Sequence, residues 1–110
     1  MKMKNKNIEL RKVLIKIGIS SNVKGFYYIL DSVEIIKKQK IHTNVTTIYE
    51  MLSKKYGASP SSIERSIRHA IQQAYKSGEI LKKIYNTSPD NSVLIYDLYF
   101  NFDIIEGECE

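Results

Sequence analysis

Apolar residues recur at helical spacing along most of the chain. Leu10, Val13, Leu14 and Ile17 stand at i, i+3, i+4 and i+7, predicting a first helix over residues 7–17 with Arg11, Lys12 and Lys16 around its other side and Gly18 as its stop. A second helix is expected over about 22–38, capped by Ser20 or Ser21, with Val23, Phe26, Tyr27, Leu30 and Val33 turned inward. Lys37, Lys38 and Lys40 at its end suit the helix dipole. Val45, Ile48, Leu52 and Tyr56 mark a third helix over 44–56, closed by Gly57 in the left-handed conformation that glycine tolerates. Ser59 followed by Pro60 is a helix start: the serine caps, and the proline fills the first position, where its missing N–H costs nothing. The fourth helix then runs over 60–77 and stops at Gly78.

Two helices joined by a short turn containing Gly form the helix-turn-helix pattern, here over about 44–77. Counting about 100° per residue from Ser61, the residues Ile63, Ile67, Ala70, Ile71 and Ala74 fall between about 180° and 280°. Arg65, Arg68, His69, Gln72 and Lys76 fall between about 340° and 80°. Ser61 and Ser62 occupy the first turn. Such polar faces are usually only solvated, but behind a helix-turn-helix spacing this one has the chemistry to read DNA. Arg forks onto guanine, Gln pairs with adenine, and Ser or Lys holds phosphate.

Beyond Gly78 the pattern loosens. Ile80, Leu81, Ile84 and Tyr85 suggest a short helix or connector, and Thr87-Ser88-Pro89-Asp90 reads as a turn. The apolar run from Val93 to Ile105 has the β-branched and aromatic content of a strand, yet a lone strand in a helical chain has no partner. As a helix it would be apolar on nearly all sides and would need burial from several directions or a subunit contact. Helix and strand both remain open.

At 110 residues, 43% hydrophobic and 26% charged, the chain is expected to form one globular domain. No run approaches the roughly 18 apolar residues of a membrane span, and the lysine-rich N-terminus leads into an amphipathic segment rather than a signal core, which points to the cytoplasm and away from membranes. One cysteine, Cys109, and two histidines, His42 and His69, supply neither a disulfide nor a zinc ligand set. His42, beside Thr43, reads as a loop residue. Asp31 and Glu34 sit at i, i+3, but there is no phosphate loop or nucleophile motif, so neither an enzyme nor a cofactor is expected.

The net charge of +5 is unevenly spread. All 17 Lys and Arg lie within residues 1–84 beside six acids, whereas residues 85–110 hold six acids and no Lys or Arg. A basic body suggests nucleic acid, because cations against phosphate release condensed counterions. A lysine-rich, AT-biased genome would also produce such a balance, so charge alone does not decide the partner.

The run from Thr47 to Ile71, above all Ile63-Glu64-Arg65-Ser66-Ile67-Arg68-His69-Ala70-Ile71 followed by Gly78, resembles the C-terminal effector domain of the stage-zero sporulation protein A family of response regulators. Ile17-Gly18-Ile19, Val23-Lys24-Gly25-Phe26 and, more loosely, Asn91-Ser92 share the resemblance. It implies an all-α domain of about five or six helices that binds double-stranded DNA at a short AT-rich box, with helix 60–77 in the major groove. It assigns Glu64 and Arg65 to base contacts, Arg68 and His69 to bases or backbone, and Lys24 to phosphate. Ser62 stands where the family commonly has Arg, which removes one guanine fork and implies an altered box.

Adjacent boxes would be bound in tandem or by a homodimer. A contact with RNA polymerase is the family role that carries over least, since the segment from Gly78 to Asn91 is short. Nor does the chain contain the family's phosphorylatable receiver domain, so control by amount or by a partner is expected. That feature, with the apolar run and the acidic tail over about 103–110, also motivates an alternative: a protein-interaction or antagonist module acting on a full-length regulator or polymerase. Glu106, Glu108 and Glu110 would then either screen the basic face or simply be solvated.

Overall fold

The helix over Pro60–Ser77 forms because its start, face and stop are all encoded locally. Ser59 is extended (φ −69°, ψ 153°) and its hydroxyl accepts the Ser62 N–H at 3.1 Å, a cap of the kind worth about 1 kcal/mol, with Pro60 in the first turn. Ile63, Ile67, Ala70, Ile71 and Ala74 are buried, as their spacing predicts. At Gly78 the chain turns into extended backbone.

The computed structural model describes residues 5–39 and 44–110, with the side chains of residues 5–7 set aside; Lys40 and His42, and their expected roles at a helix end and in a loop, lie outside the described residues. Within them the order is α1 (Asn5–Lys16), α2 (Lys24–Gln39), α3 (Val45–Tyr56), α4 (Pro60–Ser77), α5 (Ile80–Ile84), α6 (Asn91–Phe100) and α7 (Phe102–Glu108). The chain is all-α, with one more helix than expected and no strand among the described residues. Asn44 caps α3 through Thr47 N–H, and Gly57 ends it at φ +73°. Together α3, the turn at Gly57 to Ser59 and α4 form the helix-turn-helix.

Four details depart from the sequence pattern. The chain from Ser20 to Val23 is a turn, with the Ser20 hydroxyl accepting Asn22 N–H, so α2 begins only at Lys24. Val23, just before the helix, is therefore exposed rather than inward. Tyr27 is exposed too: its hydroxyl donates to Ser21 O and the Arg11 guanidinium lies over its ring. Tyr56, expected on the inward stripe, instead stacks edge-on against Tyr28 and donates to Asp31, which also pairs with Lys55 at 2.9 Å. The run 93–105 is helical, but broken at Asn101, whose amide donates back to Asp97 Oδ1.

In the packing, α2 lies against α4 and α6, α4 against α3, and α7 turns back to α5. Phe26, Ile29, Leu14, Ile48, Ile67 and Leu94 fill the centre. At Gly25 the first turn of α2 comes into close contact with α4. A Cβ there would fall 2.6 Å from Ser66 O and 2.7 Å from Ala70 Cβ, so only glycine lets the first turn of α2 rest on the backbone of α4. That contact brings Lys24 beside the polar face of α4.

Candidate nucleic-acid interface

The outer face of α4 is polar and solvated. Arg65, Arg68, His69, Gln72 and Lys76 are exposed together with Ser61, while Ser62 and Glu64 are half-buried. The helix is flanked by two grooves. One, about 540 Å³, lies between α4 and the start of α2 and gathers Lys24, Ser62, Arg65 and His69 around a floor at Gly25 and Ala70. The other, about 330 Å³, lies against the start of α6 and gathers Glu64, Arg68 and Gln72 with Tyr49 and Asn91. All the expected residues except Ser61 and Lys76 therefore border one of the two grooves. Lys76 stands at the C-terminal end of α4, about 16 Å along the axis from Arg65, where its backbone carbonyl accepts from Lys82 Nζ.

The two arginines differ in state. Arg68 is already forked onto Glu64, Nε to Oε2 at 3.1 Å and Nη2 to Oε1 at 3.3 Å, and the carboxylate holds the guanidinium more firmly charged than usual. Arg65 has no ion-pair partner among the described residues. Solvent screens an exposed i, i+4 pair of this kind, so an incoming anion can displace Glu64 from Arg68 at little cost. The pair sets a resting geometry rather than locking it.

Beneath this face lies a buried support that the sequence did not reveal. Asn91, 8% exposed, donates from one amide nitrogen to Tyr49 Oη at 2.9 Å and to Glu64 O at 3.0 Å. It thus joins the first residue of α6 to α3 and to the second turn of α4. Burial raises the Tyr49 phenol above its ordinary value, with the Asn91 bond opposing the rise. On the far side, Tyr75 Oη donates to Tyr85 O and Asn86 O, fixing the segment after α5 to α4. Gln73, also bordering the first groove, was missed as well; at about 120° from Ser61 it sits at the edge of the polar arc, where a wider window would have found it.

This arrangement supplies what an anionic duplex requires: a capped helix N-terminus, cations beside both grooves that flank the helix, and forked or amide side chains on its exposed face. Asp31 and Glu34, which stood together in the sequence, are instead taken up in structural pairs, Asp31 with Lys55 and Tyr56, Glu34 with Lys37 at 3.7 Å. No helix of the described residues is long and apolar enough to cross a membrane. Residues 10–99 match the family described as sporulation initiation factor Spo0A C terminal, a family of DNA-binding effector domains, and with that match covering most of its length the chain belongs to this family.

Proposed function

We propose that the chain is a sequence-specific DNA-binding transcription regulator that places α4 in the major groove of an AT-rich box. The observation that carries this reading is the shared groove of Lys24, Arg65 and His69, in which a helix crest suited to base edges is flanked by a cation suited to the backbone. The major groove of B-DNA admits one helix, and Arg65, with no competing carboxylate, is the side chain best placed to fork onto guanine. Glu64 can accept from cytosine once Arg68 turns to a phosphate, and Gln72 can pair with adenine. Ser61 and Ser62 lie at the helix N-terminus, where the helix dipole and the serine hydroxyls favour phosphate, and Lys76 serves the backbone at the other end.

Selection of bound sequences from random DNA tests the reading. An AT-rich box should emerge, with at least one G·C pair whose discrimination, about 1–3 kcal/mol, is lost in Arg65→Ala. Lys24→Ala should weaken all sequences about equally and reduce the salt slope by about 0.9. No preference over scrambled DNA at about 150 mM salt would overturn it.

A further inference from the structure

At the other end of α2 lies a groove of opposite character. It is about 460 Å³, floored by Leu10, Val33 and Leu98, and shares no lining residue with the two grooves beside α4. Its lip carries Phe100 and Ile104, 61% and 64% exposed, the two most exposed large apolar side chains among the described residues. On an unbroken helix, residues 100 and 102 would point about 200° apart. The break at Asn101 instead lets Phe100 and Phe102 border the same groove. Four carboxylates, Glu9, Glu34, Asp103 and Glu106, stand around the apolar surface. The one cation among the lining residues, Lys37, is paired with Glu34.

We infer that this groove between α2 and the α6–α7 bend docks a basic amphipathic helix of a partner protein. The apolar floor and lip match one face of a helix, as in other helix-in-groove complexes, and the acidic border selects Lys or Arg beside that face. The same border repels phosphate, so nucleic acid does not compete for it. Along α2, Val33 to Lys37 lie about 14–20 Å from Lys24. A partner seated here leaves the polar face of α4 uncovered. The inference stands on this groove alone and does not depend on the DNA reading.

The test is a titration of the full chain, followed by NMR, with a designed helical peptide of about 15 residues bearing leucine on one face and lysine on the other, and with its glutamate counterpart. The lysine peptide should shift the amides of residues 98–106 and 33–37 with Kd below about 100 μM, and the glutamate peptide should not. Asp103→Lys with Glu106→Lys, and separately Phe100→Ser with Ile104→Ser, should each weaken binding at least about tenfold. Because all four side chains are at least partly exposed, an unchanged thermal melt will show that the variants fold. Equal binding of both peptides, shifts confined to other residues, affinity unchanged in the variants, or no binding by millimolar peptide would each overturn the proposal. So would a concentration-dependent rise in mass without peptide that the Phe100→Ser, Ile104→Ser pair abolishes, since the occupant would then be a second copy of the chain.

Discussion

Helix α4 and the α6–α7 arm are built on opposite principles. In α4, apolar and polar residues divide cleanly around the axis, the apolar side is buried, and every exposed position after Pro60 is polar. In α6 and α7 the apolar residues run nearly all round. Leu94, Ile95, Leu98 and Ile105 enter the core, and Val93, Phe100 and Ile104 are left in solvent. A divided helix announces both its partner inside and its chemistry outside. An undivided one buries what the neighbouring helices can cover, and its remainder becomes a surface of its own.

The contrast should be clearest in stability. Ile71→Ala in α4 and Leu94→Ala in α6 remove wholly buried side chains and should each cost about 2–5 kcal/mol in urea denaturation. Phe100→Ser and Ile104→Ser should cost less than about 1 kcal/mol. A cost for Ile104→Ser equal to that of Leu94→Ala would erase the distinction, because α7 would then be packed as deeply as α6. Asn91 lies where the two regions meet. Asn91→Leu should cost about 1–3 kcal/mol by leaving the Tyr49 hydroxyl and the extra acceptor site on Glu64 O unpaired, and hydrogen exchange should show faster opening at the start of α6.

The smallest effect concerns alkaline pH. Burial, then the hydrogen bond to Asp97, holds the Tyr85 phenol above its ordinary value of 10.0. Burial, then Asp31, pushes Tyr56 up to about 12. Both phenols ionise near pH 10 in the unfolded chain. Above that pH the unfolded state sheds protons that the folded state keeps, so the stabilisation is complete below about pH 10 and declines as pH rises toward the folded values. Tyr85→Phe should flatten this decline near α6, and Tyr56→Phe near the helix-turn-helix. The former effect should be larger because Tyr85 is the less exposed. Urea melts at about pH 9 and 11 measure both.

How far each part could be read from sequence follows the same division. The cap at Ser59, the left-handed turn at Gly57 and the buried stripe of α4 depend on residues within a few positions, and all were legible. The start of α2 was misplaced because Ser20 has two local uses, capping a helix or bracing a turn, and only the packed chain selects the second. Tyr27 and Tyr56 were placed inward by spacing, but each has an apolar ring and a polar tip, and the tips found Ser21 O and Asp31 at the surface. Asn101 gave no sign of a helix break inside an apolar run. Asn91 shared in the family resemblance, but its bracing role was not legible because its partners, Tyr49 and the Glu64 carbonyl, are far away in sequence. As to function, the sequence placed the polar residues on one helix; it did not show that Arg68 is engaged by Glu64 while Arg65 has no ion-pair partner among the described residues.

The seating of Gly25 on the α4 backbone bears on the entropy of docking. With no side chain between them, the first turn of α2 rests directly on the backbone of α4, so folding itself sets where Lys24 stands relative to the polar face of α4. Under the proposed reading, what is left to immobilise on association is the long side chains of Lys24, Arg65 and their neighbours, about 0.5–1.5 kcal/mol each. The shape of the site is inherited from folding, and only its fingertips are fixed on contact.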